Sequence, residues 1–246
     1  MKIKDLFEIL DEISPFETCE KWDSCGLQIG DMEDEISDVI LSLDIDKYVI
    51  ENAPSGAVII THHPLIFGNL KSLNFSIYPA NLIFEMLQKN LKLISLHTNY
   101  DKSILNKYVL RNVLGWRSVE KIENYLLITT IDMELMDFLR HIHSRLNLKE
   151  IHASRELPER VKKVALSTGS GSDFISKLPR DVDIFLTGDV KYHKIFEARS
   201  LGLGIVDIGH FESEYLFAES LQQELESYNI ESEIVNSKNP FKYWKL

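Results

Sequence analysis

Cysteine is scarce: Cys19 and Cys25 are the only two in 246 residues. Their spacing matches neither a disulfide framework nor a paired zinc knuckle, so the sequence predicts two buried, reduced thiols. No apolar run reaches the length of a membrane span, and the opening Met-Lys-Ile-Lys-Asp-Leu-Phe lacks the apolar stretch of a signal peptide. The expectation is a cytoplasmic protein with no membrane contact. Basic residues are outnumbered, 27 Lys and Arg against 38 Asp and Glu, for a formal charge of −11. That balance argues against a general affinity for nucleic acid or anionic membranes. Low-complexity linkers, charge runs and short-period repeats are also missing. What remains is a chain 44% hydrophobic and 26% charged, long enough for one large domain or two lobes.

Strand and helix patterns alternate along it. Ile3, Leu6, Phe7, Ile9, Leu10 and Ile13 share a helical face. Residues 22–31 read as a loop entering a short strand, 37–43 as a strand, 46–53 as a helix, and the β-branched run 57–61 as a buried strand. A helix over 79–90 and a strand over 91–97 complete that series. A second series begins near Tyr125, with strands at 126–131, 162–167, 182–186 and 204–208 and helices at 132–146 and 212–228. The alternation predicts an α/β layered fold. Topology puts lobe boundaries near 124 and 190, giving 1–124 plus 190–246 as one lobe and 125–189 as the other.

Three of the proposed strands end in histidine and carboxylate. Residues 57–61 deliver His62 and His63, 91–97 deliver His97 and Asp101, and 204–208 deliver His210 and Glu214. Ligands collect at the carboxyl ends of strands in open α/β sheets, so these side chains are the candidate metal ligands. Adjacent strand residues point to opposite faces, so His62 and His63 can share a site only where the backbone turns, and Pro64 supports such a turn. Two histidines splayed in this way suit two metals. The i, i+4 spacing of His210 and Glu214 puts both on one face of a helical turn. Glu214 can bridge two cations about 3.5–4 Å apart, as in two-metal hydrolytic sites. Imidazole and carboxylate without thiolate suit Zn, Fe, Mn or Co. His141, His143 and His152 lie in or just after a helix rich in Arg and Lys and read as ordinary surface or core residues. The turn Thr168-Gly169-Ser170-Gly171-Ser172-Asp173 could hold an anion, but the phosphate-loop lysine pattern is missing, and a tight strand-to-helix turn is the better reading.

The chain resembles the Nif-three-like family, whose members are also called GTP cyclohydrolase I type 2 homologues. The resemblance runs through Trp22-Asp23-Ser24-Cys25-Gly26-Leu27-Gln28-Ile29-Gly30, Thr61-His62-His63-Pro64-Leu65-Ile66-Phe67, His97-Thr98-Asn99-Tyr100-Asp101, Asp183-Ile184-Phe185-Leu186-Thr187-Gly188-Asp189 and Gly209-His210-Phe211-Glu212-Ser213-Glu214. It implies two linked α/β lobes with mixed sheets flanked by helices, and a dinuclear centre at strand ends on His62, His63, Asp101, His210 and Glu214. It also implies two divalent ions (Zn, Fe or Mn) and a ring-shaped homohexamer. His97 matches a family position beside the metals and is a proton-transfer candidate. The family usually carries Asp-Asn where this chain has Asp23-Ser24, so a substrate contact that needs the amide is not carried over. Members with an inserted domain are longer, and residues 125–189 leave no room for one.

Two functions follow as expectations. One is a metal-dependent hydrolase, with the family activity of opening the guanine imidazole ring of GTP by water. In it His97 or Asp189 shuttles protons, and the Gly169–Asp173 turn and Lys191 meet a nucleotide or another phosphorylated small molecule. The other is a metal-binding, metal-delivery or interaction protein without turnover.

Overall fold

Ile3, Leu6 and Leu10 point the same way from helix α1 (Ile3–Ile13) and are fully buried. The Asp5 carboxylate accepts the Lys2 N–H at 3.0 Å and closes the helix start. The computed structural model describes residues 1–123 and 125–244. Two compact units divide the chain: Met1–Ser103 with Leu216–Asn239, and Ile104–Tyr215 with Pro240–Leu246. The division expected from sequence ran 1–124 plus 190–246 against 125–189. Residues 104–123, 190–215 and 240–244 instead fall with the second unit, where the strand at 204–207 pairs with the strand at 184–187.

In the first unit, α1 is followed by β1 (Gly26–Ile29), β2 (Val39–Ser42), α2 (Lys47–Asn52), β3 (Val58–Thr61), α3 (Ala80–Gln88) and β4 (Lys92–Ser95). Asp46 caps α2, accepting from Val49 N–H at 2.8 Å. A helical run, α4 (98–113), then starts at Thr98, with wide π-type turns over Asp101–Leu105 and Val109–Val113. Its residues up to Ser103 belong to this unit and those from Ile104 to the other. β2, β3 and β4 run parallel and are buried along their whole length, with apolar centres flanked by the buried polar residues Ser42, Thr61, Lys92 and Ser95. Ser42, Thr61 and Ser95 stand level in the register. The residues just beyond them therefore emerge side by side.

The second unit contains β5 (Lys121–Glu123), β6 (Leu126–Glu134), α5 (Leu135–Arg145), β7 (His152–Ala153), β8 (Arg160–Leu166), β9 (Ile184–Thr187), α6 (Tyr192–Ser200), β10 (Gly204–Asp207) and α7 (His210–Glu214). Its six strands are ordered β5-β6-β8-β9-β10-β7. β8, β9 and β10 are parallel, while the other pairings are antiparallel. Phe174, Ile175, Phe185, Ala198 and Ile205 fill its core. The single helix expected over 212–228 is broken: α7 stops at Glu214 and α8 (Phe217–Ser227) begins after Leu216, where the chain returns to the first unit. There β11 (Glu233–Ile234) adds a parallel edge strand to β2, giving the order β1-β4-β3-β2-β11. Both sheets are mixed and flanked by helices.

The cysteines differ from expectation. Cys19 and Cys25 are bonded to each other and half-buried, with Cα atoms 6.5 Å apart. A short helical turn at Phe16–Thr18 and the bend that follows fold the segment back on itself and bring the two residues within bridging distance. Among the described residues no helix is long and apolar enough to cross a membrane.

Candidate metal centre

The three parallel strands of the first unit, β2, β3 and β4, each lead into a side chain of a histidine cluster. His62 and His63 follow β3, His97 follows β4, and Asp44 lies two residues past β2. Hydrogen bonds lock these exits: Leu96 N–H donates to the Thr61 carbonyl at 2.8 Å, and His63 N–H to the Leu43 carbonyl at 3.1 Å. The Thr61 hydroxyl, itself 3.0 Å from that of Ser95, donates to the His63 carbonyl at 2.9 Å and turns the backbone between the two imidazoles. That turn lets neighbouring residues share one site.

The three imidazoles are held in the same manner. His62 Nδ1 is 2.8 Å from the Leu96 carbonyl, His63 Nδ1 is 2.7 Å from Asp44 Oδ1, and His97 Nδ1 is 2.8 Å from Asp23 Oδ1. A carbonyl or carboxylate only accepts, so each Nδ1 carries the proton and each Nε2 presents its lone pair. One ligand atom from each of the three lies within 4.8 Å of the others. His62 is fully buried, and Phe217 packs beside it with ring centroids 5.1 Å apart. Asp101, also buried, brings Oδ1 to 3.6 Å from His62 Nε2. Burial pushes the Asp23 carboxyl up, but the hydrogen bond with His97, together with donors from Thr98 and Ser24, outweighs it and holds the group down to about 2. Ser24, the departure from the family pattern, accepts the Gly68 N–H on its hydroxyl at 3.2 Å.

The second unit builds its own cluster at the carboxyl ends of β9 and β10. His210 opens α7, and its Nδ1 lies 2.7 Å from Asp189 Oδ2 while its Nε2 lies 2.9 Å from Glu214 Oε2. Glu214 is buried, and its carboxylate packs on Gly169 so closely that a Cβ there would stand 2.0 Å from Oε1. Gly188 is equally constrained, since a Cβ on it would meet the His210 backbone nitrogen at 2.6 Å. At Gly188 the obstacle is backbone, which excludes a side chain, whereas at Gly169 a side chain would have to displace the Glu214 carboxylate.

Three N–H groups of the 168–173 turn are engaged within the fold. Thr168 N–H donates to Asn106 Oδ1 at 2.8 Å, Gly169 N–H to Ser213 Oγ at 3.0 Å and Gly171 N–H to Thr187 Oγ1 at 2.8 Å. It is a tight connection rather than an anion cradle. His141 packs on Trp116 with Nε2 2.8 Å from the Leu114 carbonyl, and His152 pairs with Glu150 at the surface. Among the described residues neither they nor His143 belong to a group close enough to share an ion.

Of the residues singled out from sequence, the first unit gathers His62, His63, His97 and Asp101, and the second gathers His210, Glu214 and Asp189. Asp44 and the anchoring role of Asp23 escaped that reading. The strand-end argument applied to β2 would have pointed to Asp44. The donor chemistry of both clusters fits a divalent cation: oriented imidazoles, buried carboxylates and no thiolate.

An α/β protein with mixed sheets, carrying histidine and carboxylate at the carboxyl ends of parallel strands, is the class that fold and side chains define. The chain belongs to the Duf34/NIF3 (NGG1p interacting factor 3) family, which matches residues 1–240. It is 43% identical to the GTP cyclohydrolase 1 type 2 homolog of Campylobacter jejuni, over 99% of this chain and 100% of that protein. The GTP cyclohydrolase 1 type 2 of Helicobacter pylori strain 26695 is 37% identical over 97% of each. Among solved structures, a hypothetical protein of Staphylococcus aureus superposes with a TM-score of 0.88 at 26% identity, covering 99% of both chains.

Proposed function

We propose that the protein is a metal-dependent hydrolase that opens the imidazole ring of the guanine of GTP by addition of water. The observation that carries this reading is the set of imidazoles with Nδ1 tied back: His62, His63 and His97 in one unit and His210 in the other. The names of the Campylobacter and Helicobacter relatives supply the substrate class. His62, His63, Asp101, His210 and Glu214 would hold two divalent ions, Zn, Fe or Mn. When bound, such ions lower the pKa of water and neutralise developing negative charge.

The chain's own groups do the rest. Leu96, Asp44 and Asp189 fix the ring orientation of His62, His63 and His210, so no imidazole has to reorganise. Glu214, held between Gly169 and His210, would offer its carboxylate to an ion. His97, anchored on Asp23 through Nδ1, has Nε2 for taking a proton from attacking water and returning it to the opening ring. The assembly proposed with this reading is a homohexamer, as the family resemblance implies.

The test is turnover by protein loaded with Zn, Mn or Fe, offered GTP with a panel of nucleotides and phosphoesters, with Glu214→Gln alongside. A metal-dependent product heavier than GTP by one water, lost in the variant, supports ring opening. Release of phosphate would instead assign a phosphoester hydrolase. Firm metal binding with no turnover across the panel would contradict a hydrolase and favour a metal-handling protein.

A further inference from the structure

Cys19 and Cys25 stand outside the ligand sets described above. Both residues of their disulfide are half-buried rather than enclosed in the core. Asp23 lies between them in sequence, and its side chain is fully enclosed. Oδ2 of Asp23 is 3.3 Å from Cys19 Sγ and 3.2 Å from Cys25 Sγ. The same oxygen accepts from the Thr98 hydroxyl at 2.6 Å and the Thr98 N–H at 3.1 Å. Oδ1 faces His97 Nδ1 at 2.8 Å and accepts the Ser24 N–H at 2.7 Å. One carboxylate therefore joins the disulfide to the His97 imidazole and to the start of α4.

The two redox states treat that carboxylate differently. A disulfide sulfur carries no proton, so in the bonded form two weak acceptors crowd Oδ2, itself an acceptor. A thiol in either place offers an S–H to Oδ2 and competes with Thr98 for it. The bond also ties together residues six apart, and breaking it frees the segment that carries Asp23.

We propose that Cys19 and Cys25 form a reversible thiol–disulfide site that governs how firmly Asp23 holds His97 and Thr98, with low-molecular-weight dithiols and disulfides as its reaction partners. In reduction, a thiolate of the dithiol attacks one cysteine sulfur, the S–S bond breaks, and the released sulfur takes a proton. The second thiolate of the dithiol then displaces the mixed disulfide and leaves as a cyclic disulfide, and the other cysteine sulfur takes a proton. Two electrons pass from dithiol to protein. A disulfide oxidant reverses the steps and recovers both protons. Asp23 is here a positioning residue, and the inference does not depend on the reaction that the metal centre performs.

The experiment equilibrates the full chain with mixtures of reduced and oxidised dithiothreitol. Thiols are trapped by alkylation and counted by intact mass, and hydrogen exchange is read in peptides covering 19–29 and 97–103. The expected result is two alkylations gained and lost reversibly in folded protein. On reduction, exchange should rise about tenfold at the Thr98 amide as well as in 19–25, the effect of weakening one hydrogen bond to a charged group. The double variant Cys19→Ser, Cys25→Ser should exchange like reduced protein in every redox buffer. In Asp23→Ala the disulfide should still form, but exchange at Thr98 should no longer follow its state. Reduction only on unfolding, a change confined to 19–25, or a Thr98 response that survives Asp23→Ala would each overturn the proposal.

Discussion

Replacing Gly169 by alanine drives a methyl group into the carboxylate of Glu214, since the Cβ position is 2.0 Å from Oε1 and 3.0 Å from Cδ. The backbone there has φ of 59°, which alone costs an L-residue about 1 kcal/mol. Glu214 ends in a flexible side chain and can swing away, but doing so separates Oε2 from His210 Nε2, now 2.9 Å apart. Losing a buried pairing of that kind costs about 2 kcal/mol more. Gly202 isolates the backbone contribution: its φ is 70° and nothing lies within 4 Å of its Cβ position. Urea denaturation of metal-free protein should therefore show Gly202→Ala destabilised by about 1 kcal/mol and Gly169→Ala by about 3 kcal/mol. Zinc affinity should fall roughly ten- to a hundredfold in Gly169→Ala only, as when groups supporting a ligand are disturbed. Equal losses of stability in the two variants, or unchanged zinc affinity in Gly169→Ala, would refute this account of how Glu214 is held.

Asp44→Ala releases His63 Nδ1 and should weaken zinc binding roughly ten- to a hundredfold with little loss of stability; isothermal titration calorimetry checks it. Asp23 has its folded pKa depressed to about 2 from an ordinary 3.8, so its contribution is present above pH 4 and lost as pH falls toward 2. Wild type should exceed Asp23→Asn by about 2 kcal/mol at pH 6, the gap closing in that window, and acid-unfolding curves measure it. The Cys19–Cys25 bridge closes a short loop, so Cys25→Ser should cost about 2 kcal/mol in non-reducing urea melts and nothing further when reductant is added.

Much of this architecture was legible in the sequence because it rests on short-range rules. β3 follows from an unbroken β-branched run, and the turn after it from Thr61 and Pro64 around two histidines. The mixed sheets flanked by helices agree with the alternation of patterns and with the structural relatives. Features set by long-range packing were not legible. The break between α7 and α8 falls at Tyr215 and Leu216, inside a continuous amphipathic pattern, and periodicity cannot see a change of direction. The helical run 98–113 carries wide π-type turns that blur a 3.6-residue period. The disulfide depends on a local backbone path that cysteine spacing does not encode. Asp44 is an ordinary carboxylate until the register puts Ser42, Thr61 and Ser95 level and brings it to His63.

The central proposal is that His62, His63, Asp101, His210 and Glu214 would hold two divalent ions. Native mass spectrometry of zinc-loaded protein after desalting tests it most directly, with wild type, His63→Ala and Glu214→Gln compared. The account predicts two ions per chain in wild type and fewer than two in each variant, with folding intact by circular dichroism. One ion or none in wild type, or two in either variant, would contradict it.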